Sequence, residues 1–148
     1  DMQFADFKQG RLTANLVRLQ LLEIEGRTDD VLKLADSILA DKTVNENLRL
    51  KMYSTKLSAL SQAKHFAKAI EVVDVVRAEF ADDESLSAQL LVARAEFFAE
   101  LGRKDESLAA LKEAREMAGP GMLPMIDQAE RNLFPTSQDA GDSEDGEE

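Results

Sequence analysis

The chain has 148 residues, 44% hydrophobic but only 5% aromatic, which is enough material for one domain with an aliphatic core. It contains no cysteine and a single histidine, which removes thiol catalysis, disulfide staples and Cys/His metal sites. With 29 acidic against 18 basic side chains the net charge is −11, the wrong sign for gripping a phosphate backbone, so nucleic acid is not an expected partner.

Taken in chain order, apolar residues recur at three- and four-residue spacing and almost never alternate by two, which predicts helices and not strands. After a lead-in over 1–11, helices are expected at 6–25, 28–41, 44–63, 66–80, 84–101, 104–118 and 122–133. Gly26 and Gly102 stand at helix exits, where a left-handed residue closes the last turn. Thr28 with Asp29 and Asp30, and Asp82 with Asp83 and Glu84, place acceptors and negative charge where the next helix dipole begins. Thr43 followed three residues later by Glu46 predicts a capping box. The Ala-Gly-Pro-Gly run at 118–121 is a full stop. Beyond Pro135, the segment 136–148 holds six acids, no base and no large apolar side chain, so 135–148 reads as a disordered acidic tail. Removing that charge leaves the body near −5, ordinary for a soluble domain. No apolar stretch reaches membrane-spanning length and no secretory core is present, so no membrane insertion is expected. Asp1 in place of a methionine is compatible with a processed or excised piece, and both a cytoplasmic and an exported location fit.

An internal period organises the helices. Gly26, Lys64 and Gly102 are separated by 38 residues each, and at the same interval Leu22, Leu60 and Phe98 align, as do Leu19, Leu57 and Ala95. In the second helices the aligned sets are Leu32, Ile70 and Leu108, then Ala35, Val73 and Leu111, then Ile38, Val76 and Ala114. Identity is rare, but apolar columns stay apolar, as expected if each two-helix unit buries the same stripe on its neighbour. Linkers of two to four residues make each unit an antiparallel hairpin. The predicted domains are hairpins 12–49, 50–87 and 88–121 followed by a capping helix over 122–134, with Met122, Ile126, Ala129 and Leu133 on one side.

From about Leu12 to Gly119 this pattern resembles the tetratricopeptide-repeat (TPR) family. The third unit carries it best, through Leu91, Ala95, Phe98, Gly102, Leu108, Leu111 and Ala114; the second contributes Tyr53, Leu60, Phe66, Ala69, Val73 and Val76. The 38-residue period exceeds the family's usual 34, Asn15 and Val31 depart from its pattern, and Arg18, Lys56 and Arg94 fill a column it keeps apolar. The resemblance implies an all-α, right-handed α-α superhelix of three hairpins, whose concave face, built from first helices, binds a peptide or partner segment. That face would present Thr13, Leu16, Gln20 and Ile24, then Lys51, Ser54, Ser58 and Gln62, then Gln89, Val92, Glu96 and Glu100. The carboxylate clamp of one family subclass is absent, since its places are taken by residues including Leu16, Gln20, Thr55, Gln89 and Ala93. The same residues also read as the solvated inner face of a helical spacer.

The expected role is a non-enzymatic protein-interaction module without cofactor or metal. The alternative is a structural or self-associating domain of a larger protein, in which an end face packs on a sister copy, so that a homo-oligomer is compatible with the sequence, or on an attached catalytic domain. Phe4 and Phe7 discriminate, because exposed they mark an end face wanting a partner and folded back they are only a cap. Other features read more simply. Arg18, Lys56 and Arg94 could form an anion track but suit salt-bridged surface better. The acidic run after Gly141 lacks the spacing and the closing glutamate of a calcium loop. His65 has no Ser or carboxylate constellation in the sequence, and Asp29-Asp30 and Asp82-Asp83 suit helix starts better than acid–base work. Met2, Met52, Met117, Met122 and Met125 read as core filling, with Met122 and Met125 also open to partner contact.

Overall fold

The computed structural model describes residues 2–135, the side chains of Met2 and Phe4 excepted, so the predicted acidic tail lies outside the described residues. Within that span the fold is all-α, with no strand: α1 (Met2–Ile24), α2 (Thr28–Leu39), α3 (Glu46–Gln62), α4 (Phe66–Glu79), α5 (Glu84–Glu100), α6 (Lys104–Met117) and α7 (Leu123–Leu133), the last preceded by a 3-10 turn at Pro120–Met122. Each expected helix is present. The first begins earlier than anticipated and takes in most of the lead-in.

Three turns end their helices in the same way. Gly26, Lys64 and Gly102 all adopt left-handed backbone, with φ of 70°, 62° and 74°. At each, the same two bonds close the preceding helix: Gly26 N–H donates to Glu23 and Arg27 N–H to Leu22, Lys64 to Ser61 and His65 to Leu60, Gly102 to Ala99 and Arg103 to Phe98. This is the double-bonded helix stop in which two orphan carbonyls are satisfied and the chain reverses within a few residues. Glycine suits it because it has no Cβ to crowd the carbonyl; Lys64 is the single non-glycine with positive φ among the described residues.

The predicted capping box is displaced. Thr43 turns back to Asp41, its backbone N–H and its hydroxyl both donating to Asp41 Oδ1 at 3.0 and 2.6 Å. The cap is instead Asn45, whose Oδ1 accepts from Leu48 N–H at 2.9 Å, so α3 starts at Glu46. Asn is as good a cap as Thr, and Asp41 captures the threonine first. Asp83 caps α5 as expected, accepting from Leu86 N–H at 3.0 Å. Ahead of α2 the cap position is Arg27, whose side chain reaches Asp30 at 2.6 Å.

The chain divides into two compact units at Val72–Val73, within α4. In the first, α1 packs on α2 and α2 on α3, burying Leu19, Leu22, Val31, Ala35, Ile38, Met52 and Ala59. Leu12, Leu16, Leu34 and Leu48 close the edge of that core. In the second, α5 and α6 form the most extensive pairing and α7 lies against both. Its core holds Leu91, Val92, Ala95, Ala110, Leu111, Ala114 and Ile126, flanked by Met117, Ala129, Leu133 and Phe134. Ala95 and Leu111 are wholly buried, and the buried Ser107 hydroxyl donates to the Ala95 carbonyl at 2.7 Å, tying α6 to α5. A hydroxyl in this apolar setting is tolerated because it is bonded.

Candidate protein-interaction surface

In the first unit the anticipated face falls on α1 and α3. Gln20, Ile24, Lys51, Ser54, Ser58 and Gln62 are exposed, whereas Leu16 is half-buried at the core edge. Ile24 apart they are polar, and they are left exposed because α2 packs against the side of α1 that carries Leu12, Leu16, Leu19 and Leu22 and the side of α3 that carries Met52 and Ala59. Ser58 and Gln62 are a turn apart, with Gln62 Nε2 to Ser58 Oγ at 3.4 Å, a long contact that leaves both groups open to other partners. Together with Thr55 they form one wall of a crevice of about 60 Å³ whose other wall is Glu23, Gly26, Arg27 and Thr28, with Val31 and Ala59 lining it as well. The wall from the α1–α2 turn is absent from the sequence reading. The tight stop at Gly26, which returns α2 beside α1 and towards α3, is the signal that points to it.

In the second unit Gln89, Glu96 and Glu100 are exposed along α5. Val92 is not available as anticipated: it is 8% exposed and belongs to the core shared with α6 and α7. That core brings together Ala110, Leu111 and Ala114 of α6 and the wholly buried Ile126 of α7. Partial burial pushes the Glu96 carboxyl above the usual glutamate range, although the side chain keeps contact with solvent. A separate depression of about 180 Å³ is lined by Arg94, Phe98, Glu106, Ala109, Ala110 and Glu113. Arg94 and Arg103 both lie over the Phe98 ring, at 5.3 and 5.0 Å from its centroid.

Two of the three residues of the basic column form ion pairs. Lys56 Nζ meets Asp36 Oδ1 at 2.6 Å in the first unit and Arg94 meets Asp74 Oδ1 at 2.5 Å in the second, while Arg18 is exposed on α1. His65 is an exposed turn residue whose backbone N–H closes α3. Asp41 is held below the usual carboxylate range by the Thr43 hydroxyl and backbone N–H, with Lys8 adding attraction against a small desolvation. Among the described residues no three acidic or histidine side chains converge as a metal site, and no helix is long and apolar enough to cross a membrane. Phe7 is 67% exposed and Met125 43%, so neither is core filling or a folded-back cap; the side chains of Met2 and Phe4 lie outside the described residues. Comparison with protein-family models, curated proteins and solved structures yields no match to this chain.

Proposed function

We propose that this chain is a non-enzymatic, TPR-like protein-interaction module that receives an extended peptide or partner segment along the polar face of its first helices. The observation that carries this reading is the crevice between α3 and the α1–α2 turn, where Thr55, Ser58 and Gln62 face Glu23, Arg27 and Thr28. These groups offer donors and acceptors on a rigid helical frame, the chemistry that suits a peptide backbone and its polar side chains. Size argues against a substrate pocket: small-molecule sites usually enclose about 300–1,000 Å³. The crevice has about 60 Å³ and the depression on α5 and α6 about 180 Å³. Gln20, Lys51 and Ser54 extend the face beside the crevice, and Gln89 and Glu96 supply the corresponding face of the second unit.

Selection of a displayed random-peptide library on the full chain tests this. Selected peptides should lose at least about tenfold in affinity, about 1.4 kcal/mol, for a Ser58→Arg, Gln62→Ala double variant of unchanged helicity. Peptides that bind that variant as well as the parent would place the interaction elsewhere and remove the reading.

A further inference from the structure

α1 carries two apolar faces, and only one of them is used by the fold. Leu12, Leu16, Leu19 and Leu22 pack into the core with α2. On the opposite side Phe7, Gly10, Ala14, Val17, Leu21 and Ile24 are all exposed, with Phe7 at 67%, Val17 at 53%, Leu21 at 55% and Ile24 at 82%. Their spacing alternates three and four residues without a break, which is the 3.5-residue period of a coiled-coil seam. No other exposed stretch of large apolar residues in the described chain keeps a single helix face for this length. Thirty-eight residues on, the equivalents Met52 and Ala59 of α3 are buried, at 0% and 8%, in the core that includes Ala35 and Ile38 of α2. On α3 this side of the helix therefore has a helix against it; on α1 it has none among the described residues.

We infer that the stripe is a dimerisation seam, occupied by α1 of a second copy of this chain lying parallel and in register. The strict heptad spacing specifies a helix as the occupant, because knobs enter holes only on a partner of the same period. Charge selects the copy and its direction. Numbered as a heptad with Phe7, Ala14 and Leu21 at one seam position and Gly10, Val17 and Ile24 at the other, the flanking residues are Asp6, Arg11, Thr13, Arg18, Gln20 and Glu25. In a parallel pair each residue before the seam meets the partner residue five positions on. Asp6 then faces Arg11 of the other copy twice by symmetry, and Thr13 faces Arg18 and Gln20 faces Glu25 without any like-charge contact. An antiparallel pair centred on the stripe sets Arg11 beside Arg18 twice. Gly10 and Ala14 let the two backbones approach closely at one end, while Val17, Leu21 and Ile24 supply the apolar area. α2 does not compete for this space, since the seam lies opposite the face that α2 covers. The seam with its flanks shares Gln20 and Ile24 with the α1 part of the peptide-binding face but none of the crevice residues Thr55, Ser58 and Gln62, so changes at Val17 and Leu21 and changes at Ser58 and Gln62 test the two readings separately.

Sedimentation equilibrium of the full chain over micromolar concentrations tests the dimer. The expected result is a reversible rise from the monomer mass of 16.4 kDa towards twice that value. Val17→Glu with Leu21→Glu should hold the chain at monomer mass with an unchanged far-ultraviolet circular dichroism spectrum, and should leave peptide binding at Ser58 and Gln62 intact. Asp6→Lys should weaken the dimer several-fold, and adding Arg11→Glu to it should restore association. Because the chain has no cysteine, Leu21→Cys reports direction: oxidation should link two copies through residue 21 in the parallel register. A wild-type chain that stays monomeric, including one whose stripe is covered only by a different protein or by a further segment of its own polypeptide, overturns the proposal. So does a dimer that survives the Val17 and Leu21 changes, or one in which Leu21→Cys fails to cross-link.

Discussion

Lys56 on α3 reaches back to Asp36 on α2, Nζ to Oδ1 at 2.6 Å, and 38 residues later Arg94 on α5 makes the same contact with Asp74 on α4. In both pairs the base is the more buried member, its side chain 17% or 28% exposed against 58% or 48% for the aspartate. The aliphatic stem lies on the apolar seam between helices and the charged end meets the carboxylate at the rim. Lys56 and Arg94 thereby form an inter-helix clasp at two places 38 residues apart, while Arg18 stays exposed.

Exposed aspartates limit what the clasp contributes. A double-mutant cycle with Lys56→Ala and Asp36→Ala should give a coupling energy of about 0.2–1 kcal/mol, falling as salt is raised. Denaturant titration of the four proteins at low and high ionic strength measures it; a coupling that ignores salt would mean the contact is packing and not charge.

Lys64 holds a backbone conformation that Gly26 and Gly102 adopt without penalty, with no side-chain contact within 4 Å of where a Cβ would stand on either glycine. Lys64→Gly is expected to raise stability by about 1 kcal/mol, and Gly102→Ala to lower it by a similar amount, because the left-handed region is costly for any residue with a Cβ. Thermal denaturation of both variants checks the pair of opposite signs.

Ala95 is wholly buried between α5 and α6, with its carbonyl accepting from Ser107. Ala95→Phe should cost at least about 1–3 kcal/mol through overpacking and loss of that hydrogen bond. Ser107→Ala should be milder, about 0.5–1.5 kcal/mol, since Ala69 fills the equivalent place 38 residues earlier, equally buried and without a hydroxyl. Chemical denaturation that ranked Ser107→Ala as the worse change would contradict this account of the α5–α6 contact.

Glu96 has its folded-state pKa raised by desolvation, so its protonated form is the one the fold favours. A raised carboxyl contributes stability below the ordinary glutamate pKa and loses it as pH rises through the folded value. Glu96→Gln should therefore stabilise at pH 7, by no more than about 0.5 kcal/mol because the side chain keeps solvent contact, and the gain should vanish in acid. Melting temperatures of both proteins across the acid range test the sign.

How far residues alone carry the description differs between levels. Helix existence, the stops at Gly26 and Gly102 and the cap at Asp83 are legible because each depends on a few neighbours in the chain. The Thr43 box fails for the same local reason read incompletely: two acceptors, Asp41 and Asn45, lie within reach of the same short loop and divide the donors between them. Apolar columns at a 38-residue interval mark buried positions, since Ala35, Val73 and Leu111 are all wholly buried.

Availability of a surface is another matter. Spacing placed Val92 and Gln89 on one face of α5, but only the packing of α6 and α7 against α5 decides that Val92 is covered. Spacing likewise makes α1 apolar on both sides, and only the position of α2 shows which side is core and which is left open. Periodicity determines what shares a helix face because that follows from 3.6 residues per turn. Which faces water reaches depends on helices brought together from distant parts of the chain, and that was decided by the tertiary structure.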